Sequence, residues 1–320
     1  MHAPDRRPIA SPVAALLCAG LMTSVAAADY TVEKDIAYLG SDREQKLDAY
    51  LPSTTAFPGP RPAVVWIHGG GWSTGSKSDG REQNICRTLA EHGYAAFSID
   101  YLLTKHLTKT PAAQAAGGSE EAEPEDAAAA GDRPVPWPQN LYDCKTAVRF
   151  IRKEAARFRI DPARIAVSGG SAGGQLSLMV GLTGDDAELN HGGLYLEQSS
   201  RVSCIIDFYG AAEVTAKKRA WKFAGKTPEE TAANLRLASP LTHITKDSPP
   251  TLIAHGTKDG TVDIGDSRKI DQALAMAGVP HQFVVVPGGP HSFDLQPKQM
   301  DLRPVVLEFL GKYLGDQAQR

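Results

Sequence analysis

The chain has 320 residues, of which 42 % are hydrophobic and 22 % charged, and its formal net charge at pH 7 is −3. The length fits one large α/β domain or two small ones, and the composition is that of an ordinary globular protein. Because this charge provides no basic field, we expect neither nucleic acid nor an anionic membrane as a partner.

The first 28 residues have the pattern of an export signal. Arg6 and Arg7 form a short positive region, an apolar stretch over 13–25 follows, and three alanines at 26–28 supply the small residues that signal peptidase requires. We therefore expect a secreted or periplasmic protein whose mature chain starts at Asp29. The apolar stretch is short for a transmembrane span. An uncleaved membrane anchor is the alternative, and after cleavage we expect no integral membrane segment.

Strand-like and helix-like segments alternate over the rest of the chain. The predicted strands are 31–39, 45–52, 61–68, 94–101, 164–168, 202–209, 251–255 and 281–286. The predicted helices are 81–92, 139–157, one starting at Ser171, 264–277 and 297–314. Continuous apolar runs such as RPAVVWIH are typical of strands buried on both faces. The alternation predicts an α/β domain over 29–320, with a mostly parallel, doubly wound sheet of about eight strands and helices on both faces.

Residues from about 108 to 136 depart from this alternation. They are rich in Ala, Glu, Gly and Pro, a composition that buries little apolar surface and predicts a flexible insertion within the domain. Because the segment follows the end of a strand, it lies either beside the mouth of a site or on the surface without a role. Residues 188–200 and 217–230 are further candidates for loops or a cap.

Cleavage of the signal would leave Cys86, Cys144 and Cys204. None of them has a C-x-x-C or metal-binding spacing, so we expect buried thiols, although one bridge is compatible with the count. The sequence also lacks H-E-x-x-H and comparable pairs of ligands. We expect no metal and no cofactor.

The strongest motif is GGSAG at 169–173, between a predicted strand and a predicted helix. A serine nucleophile needs a tight strand-to-helix turn that projects its hydroxyl from the sheet, and flanking glycines avoid clashes there. The dipole of the following helix favours developing negative charge. A phosphate-binding turn is the alternative, but no G-K-[ST] and no G-x-G-x-x-G motif supports it. Ser171 is the predicted nucleophile.

A second motif, HGGGW at 68–72, ends the third predicted strand. Acyl transfer needs backbone N–H groups directed at the oxyanion of the tetrahedral intermediate, and glycines let the chain turn its amides inward. The motif alone is compatible with a tight loop. Together with GGSAG about a hundred residues later, it predicts an oxyanion hole formed by the N–H groups of Gly70, Gly71 and Ala172.

The predicted acid and base follow the nucleophile in chain order. Asp259 comes three residues after Gly256, and His291 follows the eighth predicted strand. Both positions are loops at the carboxyl ends of strands, where open α/β sheets bind ligands. Asp263 is the rival acid, although it is well placed to cap the next helix. We expect His255 to make structural hydrogen bonds.

Several segments together resemble a known family. They are HGGGW, GGSAGG, HGTKDGTVD, PHSF and WPQNLYDCKTAVRFIR, and the likeness covers nearly the whole mature chain. The chain resembles bacterial exported esterases of the α/β-hydrolase fold, in particular acetyl-xylan-esterase- and feruloyl-esterase-like carbohydrate esterases, which are related to hormone-sensitive-lipase-like carboxylesterases. The resemblance implies a triad of Ser171, Asp259 and His291.

The chain departs from its lipase-like relatives in two motifs. Those relatives usually read GDSAGG and carry a D-P-L acid motif, whereas this chain has Gly170 and lacks D-P-L. The difference favours the carbohydrate-esterase side. Family members also often have Asp-Tyr-Arg where this chain has Asp100-Tyr101-Leu102.

The predicted function is hydrolysis of small acetyl or aromatic esters, with plant polysaccharides as the carrier suggested by analogy. Trp72, Tyr209 and Trp221 are candidate substrate contacts, although aromatic side chains are more often core residues. An exopeptidase or amidase with the same triad is one alternative. A non-catalytic binding protein is another, but such a protein usually lacks a triad residue.

Overall fold

The computed structural model describes residues 29–107, 134–214 and 220–315. The predicted signal peptide and most of the predicted insertion lie outside these residues. The strands are β1 (Tyr30–Ile36), β2 (Leu47–Pro52), β3 (Arg61–Ile67), β4 (Ala95–Ile99), β5 (Ile160–Gly170), β6 (Cys204–Phe208), β7 (Thr251–Gly256) and β8 (His281–Val286).

The helices lie mostly between the strands. They are α1 (Gly80–Glu91), α2 (Thr104–Leu107), α3 (Gln139–Lys153), α4 (Ala155–Phe158), α5 (Ala172–Leu182), α6 (Pro228–Leu237), α7 (Ile264–Ala277) and α8 (Arg303–Leu314), with 3-10 turns at Ala220–Phe223 and Pro240–His243. Within the three described ranges, no helix is both long and apolar enough to cross a membrane.

The eight strands form one sheet in the order β1-β2-β4-β3-β5-β6-β7-β8. The β1–β2 and β2–β4 pairs are antiparallel, and all other neighbours are parallel. The prediction of a mostly parallel sheet of about eight strands is therefore confirmed. The order also brings the carboxyl ends of β3, β5, β6, β7 and β8 to one edge of the sheet, where ligands of such sheets bind.

The core lies on both faces of the sheet. On β3, Ala63, Val65 and Ile67 belong to one buried apolar cluster, and Val64 and Trp66 belong to the other. This division follows from the two-residue period of a strand. Apolar residues of α3, α5 and α7 complete the first cluster, and those of α1 and α8 complete the second.

The largest differences between predicted and observed boundaries are at three elements. The predicted helix at 139–157 is interrupted at Glu154, and β5 is longer than predicted because its first residue, Ile160, already pairs with Arg61 of β3. The last helix starts at Arg303 rather than 297. The Asp301 carboxylate accepts the N–H of Arg303 at 3.0 Å and so satisfies one of the free N–H groups at the helix start.

The three cysteines outside the predicted signal are free and buried, as expected. They lie on α1, α3 and β6, within the packed layers. Burial raises the pKa of the Cys204 thiol to about 12, because the charged thiolate is disfavoured away from water. Such thiols behave as small apolar side chains.

Candidate active site

The turn from β5 into α5 projects the Ser171 side chain from the edge of the sheet. Ser171 has φ 58° and ψ −119°, and its N–H donates to the carbonyl of Phe208 at 2.9 Å. A Cβ atom at Gly169 would lie 2.3 Å from the Gly173 carbonyl oxygen, and one at Gly173 would lie 2.0 Å from the Ile67 carbonyl oxygen. Both flanking positions therefore require glycine, because any side chain there would clash with a backbone carbonyl group. This is the geometry of a nucleophile elbow.

Ser171, His291 and Asp259 form a continuous chain of hydrogen bonds. His291 Nε2 lies 2.9 Å from Ser171 Oγ, and His291 Nδ1 lies 2.6 Å from Asp259 Oδ2. The Nδ1–H donates to the carboxylate, which leaves Nε2 able to accept the serine proton. The catalytic roles of the three residues stay predictions, but the structure brings all three together.

The Asp259 carboxylate has two further donors. Its Oδ1 accepts the N–H groups of Thr261 at 2.8 Å and Val262 at 2.9 Å. Burial by itself would raise the pKa of Asp259, but the hydrogen bonds from His291, Val262 and Thr261 outweigh it and hold the pKa below its ordinary value. Asp259 therefore stays ionised beside His291.

The rival acid, Asp263, has a different role. It is the N-cap of α7, and its Oδ1 accepts the N–H of Gly265 at 2.6 Å. An aspartate at this position satisfies a free helix N–H. The structure therefore shows the capping role predicted for Asp263, and Asp259 stays the predicted acid.

Contacts within the HGGGW loop fix the carbonyl groups of Gly69 and Gly70. Each of these carbonyls belongs to the same peptide unit as a predicted oxyanion donor, the N–H of Gly70 or of Gly71. The Gly69 carbonyl lies 2.6 Å from His68 Nδ1, and the Gly70 carbonyl accepts the N–H groups of Ser73 and Thr74, each at 3.1 Å. In a planar trans peptide the N–H points away from the carbonyl of the preceding residue. These contacts therefore fix the directions of the Gly70 and Gly71 N–H groups.

Backbone conformation explains the glycines of this loop. Gly70 has φ 110° and Gly71 has φ 59°, both in the left-handed region. A Cβ atom at Gly70 would lie 2.2 Å from the Thr74 carbonyl oxygen. The third predicted donor, Ala172, is the first residue of α5, where N–H groups lack intrahelical acceptors.

Lys222 contacts the HGGGW loop, and no sequence motif predicts this contact. Its buried Nζ donates to the Gly71 carbonyl at 2.9 Å. Gln175 also contacts the loop, since its Oε1 accepts from Trp72 Nε1 at 3.1 Å and its Nε2 donates to the Ala238 carbonyl at 2.6 Å. No local motif indicates these contacts, because Lys222 and Gln175 are more than 100 residues away in the chain from their partners Gly71 and Trp72.

The three predicted substrate contacts are all buried. Trp72 exposes 7 % of its surface and Trp221 exposes 3 %; contact of either with a substrate stays a prediction. Tyr209 exposes none of its surface, so it supports the site rather than lining it. Its ring centroid lies 4.9 Å from that of His291, and its hydroxyl donates to the Phe293 carbonyl at 2.6 Å.

Arg81 connects this tyrosine to α1. Its guanidinium donates to Tyr209 Oη at 3.3 Å and to Glu82 Oε1 at 2.5 Å. Glu82 is buried, so the ion pair is shielded from solvent on its acidic side. The His291 loop is therefore linked through one tyrosine to a charged pair at the start of a helix.

The segment in which the chain departs from Asp-Tyr-Arg also has a defined structure. The buried Asp143 of α3 accepts the N–H of Leu102 at 2.9 Å and pairs with Arg43 at 2.6 Å. Burial raises the pKa of Asp143, and the Arg43 guanidinium acts against that rise. Arg43, which lies in the segment before β2, therefore forms an ion pair with a buried carboxylate of α3.

Among the residues that the structure describes, no group of three or more His, Cys, Asp and Glu side chains is placed to hold a metal ion. Two fully buried titratable residues, Tyr209 and His255, contact the triad: the Tyr209 ring centroid lies 4.9 Å from that of His291, and His255 Nε2 lies 3.2 Å from Asp259 Oδ2. Both take part in hydrogen bonds to the two loops that carry Asp259 and His291.

Comparison with known families identifies the chain. The model of the BD-FAE family matches residues 47–115 and 132–274. The chain belongs to the BD-FAE family. The matched ranges include Ser171, Asp259 and the HGGGW loop, and they end before His291.

Curated relatives of this BD-FAE member carry esterase names. It is 29 % identical over 280 residues to the probable carboxylic ester hydrolase LipM of Mycobacterium tuberculosis, an alignment that covers 83 % of this chain and 57 % of LipM. It is 27 % identical over 282 residues to the esterase LipC of the same organism, covering 83 % of this chain and 61 % of LipC. The chain thus spans about three fifths of the length of these relatives.

Solved structures show the same fold. A truncated carbohydrate esterase from gut microbiota superposes with a TM-score of 0.73 at 24 % identity, covering 90 % of this chain and 97 % of that one. Thermogutta terrifontis esterase 2, phosphorylated by paraoxon, has a TM-score of 0.63 at 27 % identity, covering 89 % and 94 %. A chain named bifunctional GH43-CE, from Bacteroides eggerthii, has a TM-score of 0.72 at 26 % identity, covering 89 % of this chain and 38 % of that one. The predicted α/β-hydrolase fold is confirmed.

Proposed function

We propose that this BD-FAE protein is a serine carboxylic ester hydrolase. The observation that carries the proposal is the chain of hydrogen bonds from Ser171 Oγ through His291 to Asp259, beside two N–H groups of fixed direction. The esterase names of the relatives agree with this activity.

In the proposed mechanism, Ser171 Oγ attacks the ester carbonyl while His291 Nε2 accepts the hydroxyl proton. The N–H groups of Gly70, Gly71 and Ala172 stabilise the oxyanion of the tetrahedral intermediate. The protonated His291 then donates to the departing alcohol, and an acyl-enzyme remains. A water molecule activated by His291 releases the acid by the same steps in reverse order.

Asp259 serves this cycle by holding His291 in one tautomer. Its carboxylate stabilises the imidazolium that forms after each proton transfer, without itself becoming protonated. The depressed pKa of Asp259 is consistent with that role, since the group keeps its negative charge while a positive charge develops next to it.

We propose small acyl esters, acetyl or aromatic, as the substrate class, with a carbohydrate alcohol of plant polysaccharides as the natural carrier. The carbohydrate-esterase names of two structural neighbours support this choice. The export-like pattern of the first 28 residues supports a secreted or periplasmic location, where polysaccharides are accessible. Fractionation of cells that express the full chain tests the location.

The decisive experiment measures release of p-nitrophenol from acetate and butyrate esters by the wild type and by Ser171→Ala. We expect hydrolysis by the wild type only. The ratio of its rates on the acetate and butyrate esters indicates how large an acyl group the pocket accepts. Acetate release from acetylated xylan and ferulate release from methyl ferulate test the carrier and the acyl class. Turnover of p-nitroanilide peptides without ester hydrolysis would favour the peptidase alternative. A folded wild type that neither hydrolyses esters nor reacts with a fluorophosphonate would leave the binding-protein alternative.

A further inference from the structure

A second imidazole contacts the Asp259 carboxylate. His255 is the penultimate residue of β7, its side chain is fully buried, and its Nε2 lies 3.2 Å from Asp259 Oδ2. The same oxygen receives His291 Nδ1 at 2.6 Å. Because Oδ1 is occupied by the N–H groups of the following turn, both oxygens of the carboxylate are held.

The surroundings of His255 determine which ring nitrogen carries the proton. Nε2 also lies 3.0 Å from the Val262 carbonyl, which can only accept, so Nε2 carries a proton. Nδ1 lies 2.7 Å from Ser267 Oγ, whose hydroxyl donates to a neutral ring. Burial lowers the pKa of His255, against the opposing effects of the Val262 carbonyl and Asp259. The ring is therefore neutral, with its proton on Nε2.

We infer that His255 is a positioning residue of the proposed hydrolase, whose neutral Nε2–H orients the Asp259 carboxylate toward His291 and shares its charge. This inference rests on the proposed ester hydrolysis. Ser267 and the Val262 carbonyl fix the ring that does this, and both follow Asp259 closely in the chain. His255 itself contacts neither Ser171 nor the oxyanion loop through any described hydrogen bond.

The chemical consequence concerns the base. A neutral donor holds the carboxylate without placing a second positive charge next to His291, which must be neutral to accept the serine proton. Without this donor the carboxylate attracts protonated His291 more strongly, so the inactive protonated form persists to higher pH. The carboxylate is also less well oriented, which lowers kcat. KM changes little, because no substrate atom is involved.

Other titratable and charged groups also face this cluster. Tyr209, after β6, has its ring centroid 6.5 Å from that of His255 and 4.9 Å from that of His291. Arg81 and Glu82 of α1 reach the cluster through the Tyr209 hydroxyl. The replacement of His255 alters none of these residues themselves, and the glutamine variant separates the loss of the Nε2–H donor from a change of packing against Tyr209.

The test compares His255→Asn, His255→Gln and Ser267→Ala with the wild-type full chain. The glutamine amide reaches the position of Nε2 and can donate to Asp259, whereas the asparagine amide reaches only the position of Nδ1. His281→Asn is the matched control, because His281 also lies between a carbonyl (Val279) and a carboxylate (Asp271) but sits at the start of β8. Rates of p-nitrophenyl acetate hydrolysis are measured from pH 5 to pH 9.

We expect His255→Asn to lower kcat about tenfold, the effect of one hydrogen bond to a charged group, with KM changed less than about twofold. The acid limb of the pH–rate profile, where activity falls at low pH, should move to higher pH in His255→Asn. The far-downfield NMR resonance of the proton between His291 and Asp259 should also shift. His255→Gln should restore most of kcat, and Ser267→Ala should show a smaller shift in the same direction. His281→Asn should match the wild type.

A folded His255→Asn enzyme with wild-type kcat and acid limb would overturn the inference. Equal losses in the asparagine and glutamine variants would overturn it too, since they would reflect packing alone. If His255→Asn does not fold, the pH–rate profile of Ser267→Ala is the test. An acid limb at the same pH as in the wild type would then overturn the inference. A wild type without ester hydrolysis or fluorophosphonate labelling overturns the proposed function itself, whereas an active wild type with unshifted variants overturns only the role of His255.

Discussion

The Nε2 atom of His291 lies 2.9 Å from the Oγ atom of Ser171, although 120 residues separate the two in the chain. Ser171 follows β5 and His291 follows β8, and the sheet places β6 and β7 between these strands. Because all four strands are parallel, their carboxyl ends meet at one edge and bring the loops together. The site therefore depends on the order of the strands as much as on its motifs.

Replacing Ser171 by alanine should abolish ester hydrolysis. The change removes the proposed nucleophile and leaves the backbone turn in place, so we expect kcat to fall by at least about 10⁴-fold. The matched control is Ser177→Ala on the same helix, since that hydroxyl donates only to the Gly174 carbonyl. The rate of p-nitrophenyl acetate hydrolysis checks both variants. Residual activity of Ser171→Ala near the wild-type rate would contradict the assignment.

Replacing Gly70 by alanine should slow the reaction without preventing folding. The new Cβ would lie 2.2 Å from the Thr74 carbonyl oxygen, so the loop must shift and its N–H groups lose their directions. We expect kcat to fall about 10²- to 10³-fold, the usual effect of losing one oxyanion donor.

The control for the loop is Gly80→Ala, where no atom lies within 4 Å of the new Cβ. It should keep the wild-type kcat. Equal kcat values for the Gly70 and Gly80 variants, both folded by circular dichroism, would argue against an oxyanion hole in the HGGGW loop.

Replacing Tyr209 by phenylalanine keeps the ring beneath His291 and removes its hydroxyl. The Phe293 carbonyl then loses its donor and the Arg81 guanidinium loses one acceptor. Leaving such groups unsatisfied costs about 1–3 kcal/mol, and we expect a lower free energy of unfolding together with a reduced kcat. Urea unfolding and steady-state rates measure the two effects. Tyr142→Phe, whose hydroxyl faces the exposed His191, should change neither quantity.

Asp207 predicts a pH dependence of stability. Its carboxyl is fully buried on β6, its Oδ1 accepts the Gly210 N–H, and its Oδ2 has no partner within the described part of the chain. Burial raises the pKa of Asp207 from 3.8 to about 7. Between these values the unfolded chain is ionised and the folded protein keeps the proton. The folded state therefore loses stability as pH rises from about 4 to about 7, and the loss stays constant above.

The Asp207→Asn variant lacks this titration. The free energy of unfolding of the wild type should fall relative to the variant across that range, by up to on the order of 4 kcal/mol. Urea unfolding at several pH values measures the difference. The control is Asp161→Asn, because Asp161 has a lowered pKa and is ionised in both states above about pH 5. A wild-type minus Asp207→Asn difference that is constant between pH 4 and 7 would contradict the prediction.

The sequence predicts the site best where the backbone itself restricts the residue type. Gly70 and Gly173 are required by positive φ or by close approach of a carbonyl, and those requirements are visible as local motifs. Asp263 is recognisable as a helix cap, which leaves Asp259 as the predicted acid. The alternation of elements likewise predicts the parallel sheet.

Contacts between distant segments are the part that the sequence does not predict. Nothing near Lys222 or Gln175 in the chain indicates that both hold the HGGGW loop. Tyr209 is the opposite case, since it is a predicted substrate contact, yet its side chain is fully buried and its ring centroid lies 4.9 Å from that of His291. The start of α8 at Arg303 also differs from the prediction, because the apolar pattern does not indicate that the Asp301 carboxylate accepts the Arg303 N–H.

The position of β8 has a consequence for inactivation by heat. This strand is at the border of the sheet, pairs with β7 alone, and has a half-exposed sequence, whereas the turn that carries Ser171 lies among central strands. Border strands fray at lower free-energy cost than central ones. We expect fraying here to withdraw His291, the proposed base, and to leave Ser171 in place, so ester hydrolysis should be lost on heating before the protein melts and should return on cooling.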